Sequence, residues 1–212
     1  MKHYFSILLL SFFLSSCGKS TPQPAPQVIP VYSTFAAEPW VTELYYCAAQ
    51  QSNIVLSRVD DRSAADIILR VGEPEFLASP AYQIDEEEIR IVTHSQSPIQ
   101  NLTLEEAQAL FMGLGDPSVQ VWVYASGEDV QRAFDRFVME GRSVTSSARI
   151  AVSPQQMSDI LANEPNTVGI LPRHWMTGEA RDVYSVAAVP VLALMRSEPQ
   201  GVMGGLIGCL QS

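Results

Sequence analysis

From residue 28 onward, the apolar residues of the chain recur with two different periods, which predict alternating strands and helices. Short runs that are continuously apolar, or that alternate with polar positions, predict strands when they are rich in β-branched residues. These runs cover residues 28–33, 53–59, 66–71, 88–93, 119–124, 149–152, 167–171 and 183–195, the last interrupted at Pro190. Helical segments separate most of them, so the pattern indicates an α/β protein whose strands are largely parallel.

Helices are predicted where apolar residues recur every three to four positions. Thr103 with Glu106, and Ser153 with Gln156, have the spacing of a capping box, which marks a helix N-terminus. Ser126 is predicted to cap a third helix, whose apolar face carries Val130, Phe134, Phe137 and Val138. The full set comprises residues 39–51, residues 103–112, the helices that begin at Ser126 and Ser153, and a last helix from about Pro199.

The first 17 residues have the pattern of a secretory signal peptide: a short basic start, an apolar run at residues 4–14, and small residues before Cys17. The apolar run is too short to span a bilayer, which needs about 20 residues. The sequence LSSC that ends at Cys17 resembles the lipobox of bacterial lipoproteins, which implies cleavage before this cysteine and attachment of lipid to its sulfur. The alternative is an ordinary signal peptide with a chance cysteine. Residues 18–30 are rich in proline and predict a semi-rigid tether.

Composition narrows the possible functions of the remaining 31–212 domain. The formal net charge is −10, and no lysine follows Lys19, so an acidic surface argues against a nucleic-acid partner. No Walker loop, zinc-ligand spacing or Cys/His nucleophile pattern occurs in the sequence. We therefore expect no catalytic residue, no metal, no cofactor and no enzymatic activity. We expect a monomer, anchored by lipid at the extracytoplasmic face of a cell membrane.

Once Cys17 is assigned to lipid, Cys47 and Cys209 remain. Each lies on the apolar face of a predicted helix, one in the first helix and one in the last. An exported protein matures in an oxidising compartment, where an even pair of cysteines favours a disulfide. Such a bond would close a very long loop and stabilise the fold by about 3–5 kcal/mol in the chain-entropy model. Two separate buried thiols are the alternative. The distance between the two residues decides whether they can form a disulfide, and the sequence does not give that distance.

Four segments, in order, resemble the phosphate-binding branch of the type II periplasmic binding proteins. LTLEEAQALFMG at residues 102–113 is similar to the family pattern LTxExxxxIFxG. VYASGE at residues 123–128, followed by AFDRFV at 133–138, is similar to a family segment with Ser-Gly-Thr and two phenylalanines. NEPNTVGIL at residues 163–171 and VPVLAL at residues 189–194 resemble the late strands of the family.

The resemblance implies two α/β lobes with mixed, mostly parallel sheets, joined by two chain crossings, with a ligand in the cleft between them. Lobe one would comprise about residues 31–92 and 185–212, and lobe two about residues 93–184. Both cysteines of the expected disulfide would then lie in lobe one.

Ligands of such a cleft bind at helix N-termini, where backbone N–H groups are unpaired and the helix dipole is positive. Two places in the chain fit this description and would face each other across the cleft. The first place precedes the first helix and consists of Ser33, Thr34 and Phe35. The second precedes the helix of lobe two that is predicted to begin at Ser126, and it consists of Ser126, Gly127 and Glu128.

The second place departs from the family pattern. Phosphate binders have threonine, often followed by arginine, where this chain has Glu128 and Asp129. These carboxylates favour the helix start but oppose a bound dianion, and Ser126 could therefore be a helix cap instead of a ligand contact. Glu73 follows the third strand where the family often has a polar cleft residue, although a solvated loop acid is the alternative.

The resemblance implies a solute-binding lipoprotein of an ABC-type importer, which takes a small, phosphate-like anion and delivers it to a membrane permease. The alternative is a non-transport lipoprotein that uses the same fold as a surface interaction or sensory module. The acids at residues 128 and 129 and the acidic surface favour this second hypothesis.

Overall fold

The computed structural model describes residues 25–212 of the chain. Within this range it has eight strands: β1 (Gln27–Ser33), β2 (Ile54–Arg58), β3 (Ile67–Val71), β4 (Ala81–His94), β5 (Gln120–Val123), β6 (Arg149–Ile150), β7 (Thr167–Pro172) and β8 (Ala180–Met195). The α-helices of the same range are α1 (Glu38–Ala49), α2 (Leu104–Phe111), α3 (Asp129–Phe134), α4 (Pro154–Asn163) and α5 (Val202–Leu210). The signal peptide, Cys17 and most of the proline-rich tether lie outside the described residues.

The sheet has two halves that are joined through its two longest strands, in the order β2-β1-β3-β8-β4-β7-β5-β6. In the first half β1 pairs in parallel with β2 and β3, and in the second half β5 pairs in parallel with β6 and β7. Strands β4 and β8 pair antiparallel with each other, and they also pair antiparallel with β7 and β3, respectively. The chain passes between the halves in β4 and returns in β8. The predicted α/β class, with a mixed and mostly parallel sheet, is confirmed.

The two joining strands differ from their predictions. Strand β4 begins at Ala81, seven residues before the predicted strand at 88–93. Its first part carries two exposed acids, Asp85 and Glu86, and only a short apolar alternation, and backbone pairing with β8 makes it a strand. Strand β8 is continuous through Pro190, which was predicted to interrupt it, and the Pro190 carbonyl accepts the Gly72 N–H at 2.7 Å. The proposed lobe boundaries, near residues 92 and 184, fall inside these two strands, and the division into lobes stays a prediction.

Two of the predicted helix starts are supported by side-chain bonds. Thr103 and Glu106 form a complete capping box at α2. Ser153 caps α4 by accepting the Gln156 N–H at 3.2 Å. The reciprocal bond of a capping box is absent there, because the Gln156 carboxamide oxygen accepts the backbone N–H of Val152. Helix α5 begins at Val202, later than the predicted start near Pro199.

Helix α3 differs most from its prediction, and this difference positions the site. Its N-cap is Glu128, not Ser126, and the helix begins at Asp129. After Phe134 the chain forms a π-helical turn, Asp135–Met139. The wider turn changes the rotation from residue to residue, so that Phe137 is 40% exposed although it was predicted on the buried face. Because Glu128 is the N-cap, Asp129 is the first residue of the helix, where the helix dipole favours its negative charge.

Helices α1 and α5 pack against each other and are joined by a disulfide between Cys47 and Cys209, whose Cα atoms are 5.8 Å apart. The predicted disulfide is confirmed, and the alternative of two separate thiols is wrong. Trp40 and Leu44 of α1 are buried on the same face as Cys47, as the helical spacing predicts. In the other half, the Phe111 and Phe134 rings pack at a centroid distance of 4.5 Å and join α2 to α3.

Candidate functional site

The two halves of the molecule meet where β3 ends and α3 begins, and a buried ion pair joins them there. Arg70 Nη2 donates to Asp129 Oδ1 at 2.7 Å, and the backbone N–H of Val71 donates to Asp129 Oδ2 at 3.2 Å. Arg132, one turn further along α3, donates to the same Oδ1 atom. The Arg70 and Asp129 side chains are only 3% and 2% exposed. The Asp129 carboxylate is therefore enclosed by donors from both halves.

The charges of Arg70 and Asp129 compensate each other in a buried environment. Burial lowers the pKa of Arg70, and the neighbouring Asp129 carboxylate acts in the opposite direction. The guanidinium keeps its charge in proteins, so Asp129 supplies the compensating negative charge. Arg70 Nε also donates to the Gly72 carbonyl oxygen at 2.9 Å. Removal of either partner would leave a buried charge without compensation, which is strongly destabilising.

On one side of the ion pair lies a small cavity of about 120 Å³, which we call the small compartment. It is lined by Tyr32, Thr34, Arg62, Ile68, Arg70, Gly127, Glu128, Asp129 and Arg132. Three arginines and two carboxylates give these residues a formal excess of one positive charge. Thr34 Oγ1 and Arg132 Nε are buried and lack a hydrogen-bond partner within residues 25–212. Buried polar atoms are normally paired, and the described residues supply no partner for these two.

On the other side lies a cavity of about 790 Å³, which we call the large compartment. It is formed by residues 71–75 at the end of β3, residues 188–190 of β8, and residues of α3 and its π-helical turn. Asp129 and Arg132 line both compartments, so the two compartments adjoin at Asp129. The acids of the large compartment, Glu73, Glu75, Asp129 and Asp135, outnumber its arginines, Arg132 and Arg136. An anion is therefore better accommodated in the small compartment.

No protein-family model and no curated protein matches the chain. Solved structures do match it. A protein from Clostridium perfringens assigned as a phosphate ABC transporter substrate-binding protein, with bound phosphate, superposes with a TM-score of 0.78 at 13% identity, over 88% of this chain and 93% of that one. An ABC-type phosphate transport receptor from Vibrio cholerae matches with a TM-score of 0.64 at 14% identity, over 87% and 93% of the two chains.

The regulatory domain of CcmR from Synechocystis PCC6803, in complex with 2-PG, matches with a TM-score of 0.65 at 10% identity, over 87% of this chain and 96% of that one. The order of strands, the two crossings and these superpositions agree. The chain has a type II periplasmic-binding-protein fold. At these identities the likeness establishes the fold and not the ligand, since substrate-binding proteins and a regulatory domain share it.

The type II periplasmic-binding-protein fold brings some of the predicted site residues together. Thr34, Gly127 and Glu128 line the small compartment from opposite halves. Thr34 precedes a 3-10 turn, Phe35–Ala37, that leads into α1. Glu73 lies apart from these three, in the large compartment.

The other predicted site residues lie outside both compartments. The Ser33 hydroxyl donates to Glu38 at 2.8 Å and accepts from Arg58 at 3.1 Å. Phe35 is 53% exposed, and Ser126 is exposed. Ligand contact by any of the seven residues stays a prediction. The burial of Asp129 and Arg70 shows that the chemistry of the cleft depends on residues beyond these seven.

Three arginines of the small compartment, Arg62, Arg70 and Arg132, were not among the predicted site residues. Arg70 had a signal in the sequence: it is the single charge in the apolar run IILRV of β3 and precedes Gly72. A charge in a buried strand requires a partner. Arg62 and Arg132 had no comparable signal. Arg62 lies in a polar turn, Arg132 is a partly exposed residue of an amphipathic helix, and only the folded chain brings them together.

A second contact joins the halves on another side of the molecule. The Trp175 indole N–H donates to the Ala36 carbonyl oxygen at 3.2 Å, and the His174 ring lies 4.7 Å from the Trp40 ring. Glu87, which is 1% exposed, accepts from the Arg173 backbone N–H at 3.1 Å and lies 2.9 Å from His174 Nδ1. Burial raises the pKa of Glu87, and His174 opposes this shift. The halves are thus in contact on two sides.

Two kinds of feature are missing from the described part of the chain. Residues 25–212 contain no cluster of three or more His, Cys, Asp or Glu side chains arranged to hold a metal ion. No helix in this range is both long and apolar enough to cross a membrane.

Proposed function

We propose that the protein is an extracytoplasmic solute-binding lipoprotein of an ABC-type importer and that it binds a small anion in the small compartment. The observation that carries the proposal is the pair of buried, unpartnered donors, Thr34 Oγ1 and Arg132 Nε, beside an excess of positive charge. A small oxyanion presents several acceptor oxygens and would satisfy both. The fold shared with two phosphate-transport proteins supports the same class of function.

The size and charge of the site support an inorganic anion or a very small organic acid. Cavities that take drug-sized ligands measure about 300–1,000 Å³, well above the roughly 120 Å³ of the small compartment. The carboxylates of Glu128 and Asp129 oppose a dianion, as the sequence suggests. Burial raises the pKa of Glu128, with Asp129 acting in the same direction and Arg132 against it. This reduces the negative charge on Glu128 in moderately acidic solution.

Thermal shift of the full-length protein in detergent, with phosphate, sulfate, molybdate, organic acids and amino acids, tests the proposal. An anion at 100 times its dissociation constant should add about 2.7 kcal/mol to the free energy of unfolding. Thr34→Val and Arg62→Ala should weaken the response, whereas Arg142→Ala should not, because Arg142 lies outside the compartment. If no compound of the panel shifts the melting temperature of the wild type, the transport proposal is wrong.

The lipid anchor needs a test of its own, since Cys17 lies outside the described residues. In cells that express the full chain, labelled palmitate should enter the wild-type protein and not the Cys17→Ser variant. The wild type should also sediment with membranes after cell breakage. Equal labelling of both proteins would disprove the anchor at Cys17.

A second candidate, a non-transport interaction or sensory module, is favoured by one observation. The Arg70–Asp129 pair closes the cleft through the protein's own residues. Cross-linking of the lipoprotein in membranes, followed by identification of its partner, separates the two candidates. A permease would support transport, and a partner of another class, together with a silent anion panel, would support the second candidate.

A further inference from the structure

The donors that enclose Asp129 form a complete carboxylate-binding site. Arg70 contributes its Nη2, Val71 contributes its backbone N–H, and Arg132 contributes its guanidinium. Guanidinium groups and backbone N–H groups are the donors by which proteins commonly hold free carboxylates and phosphates. Here the bound carboxylate belongs to a residue of the same chain, and it comes from the half opposite to Arg70 and Val71.

The burial of this pair distinguishes it from the other ion pairs of residues 25–212. Both of its side chains are at most 3% exposed, whereas every other pair has a partner that is at least 21% exposed. Exposed pairs contribute little to stability because water competes for both charges. Among the ion pairs of residues 25–212, the pair between Arg70 and Asp129 is therefore the one with both charges shielded from water.

We infer that Asp129 is an internal ligand of the cleft, which occupies the Arg70 and Val71 donors and keeps the two halves closed when no solute is present. The part of this inference in which Asp129 regulates the site rests on the proposed function, because Asp129 would set how easily an anion enters the small compartment. Closure itself does not depend on which solute binds. A carboxylate fixed in the same chain has a high effective concentration, so a free anion competes poorly for these donors.

Removal of the internal carboxylate should convert the site into one that accepts a free carboxylate. In Asp129→Ala the donors of Arg70 and Val71 lose their partner, and the deleted side chain leaves space for a formate ion. We expect a lower melting temperature than that of the wild type, which formate restores by roughly 5–10 °C at 100 times its dissociation constant. Formate should raise the melting temperature of Asp129→Ala by more than it raises that of the wild type, each measured relative to chloride at the same ionic strength.

Two matched variants separate this effect from general ones. Glu105→Ala removes an exposed acid from the first turn of α2 and therefore the same helix-dipole interaction, without an ion pair. It should show neither destabilisation of comparable size nor a formate response larger than that of the wild type. In Arg70→Met/Asp129→Ala the formate site itself is absent, so the response should disappear. Equal formate shifts in all variants, or an Asp129→Ala protein as stable as the wild type, would overturn the inference.

Asp129→Asn provides a second measurement in case Asp129→Ala does not fold. It keeps the shape and one acceptor oxygen of the side chain but removes the charge. Small-angle X-ray scattering of this variant should give a larger radius of gyration than the wild type, and an identical radius would also overturn the inference. These outcomes are independent of the anion panel: the wild type can fail to bind any anion while Asp129→Ala still responds to formate.

Discussion

The half-exposed ring of His174 contacts the buried carboxylate of Glu87, with Nδ1 and Oε2 2.9 Å apart. Glu87 belongs to β4, which joins the two halves, and His174 lies in the turn that contacts Trp40 of α1. A buried carboxylate is poorly solvated, and its charged form is tolerated only because donors surround it. Titration of Glu87 should therefore affect the contact between the halves.

The free energy of unfolding should fall as the pH rises through the pKa of Glu87. Burial raises this pKa above 4.5, so the folded state binds the proton more tightly than the unfolded state. The stabilisation is complete below about pH 4.5 and is lost as the pH rises through the folded value. Urea denaturation at a series of pH values should show this slope in the wild type. Glu87→Gln should flatten it, whereas Glu86→Gln, on the exposed side of β4, should leave it intact.

Replacement of Arg70 should be among the most destabilising single changes outside the apolar core. Arg70→Ala leaves the Asp129 carboxylate buried without its main partner, at a cost of about 3–5 kcal/mol. Arg142→Ala removes an exposed pair with Glu140 and should cost less than about 1 kcal/mol. Equilibrium unfolding in urea measures both. A loss below about 1 kcal/mol for Arg70→Ala would show that the pair does not stabilise the closed cleft.

Removal of the disulfide should destabilise the protein without changing its fold. The bond joins residues 162 positions apart, so it strongly restricts the unfolded chain. Cys47→Ser/Cys209→Ser should lose about 2–5 kcal/mol of unfolding free energy, measured in urea. Circular dichroism should remain that of the wild type under native conditions. The matched control is the wild type treated with reductant, which should melt at the same temperature as the double variant. A double variant as stable as the oxidised wild type would contradict the prediction.

Anion affinity should rise as the pH falls, if the small compartment is the site. Glu128 lines it and has a raised pKa, so it loses its opposing charge earlier than a solvated glutamate does. Sulfate is a suitable probe because its charge is constant between about pH 5 and pH 8. Titration calorimetry at neutral pH should show an affinity about 3–10-fold higher for Glu128→Gln. The variant should also show a weaker pH dependence, and an unchanged affinity would place the anion elsewhere.

Local sequence signals predicted those parts of the fold that depend on local interactions. Thr103 and Glu106 are three residues apart and form their capping box without help from the rest of the chain. The helical spacing of Cys47 and Cys209 placed both on buried sides, where the disulfide forms. Predictions based on weaker local signals were wrong. Ser126 does not cap α3, because the helix begins only at Asp129 and Glu128 is its N-cap. Pro190 does not interrupt β8, because pairing with β4 outweighs its local preference.

The sequence by itself determined the alternation of strands and helices and the position of both cysteines on apolar helix faces, since periodicity and capping depend on neighbouring residues. The distance that allows Cys47 and Cys209 to pair comes from the packing of α1 against α5. Only the tertiary structure decided how the cleft is occupied. Arg70 and Asp129 are 59 positions apart, and neither has a local pattern that names the other as its partner. Their pairing follows from the meeting of β3 with α3, where burial removes water and each charge requires the other.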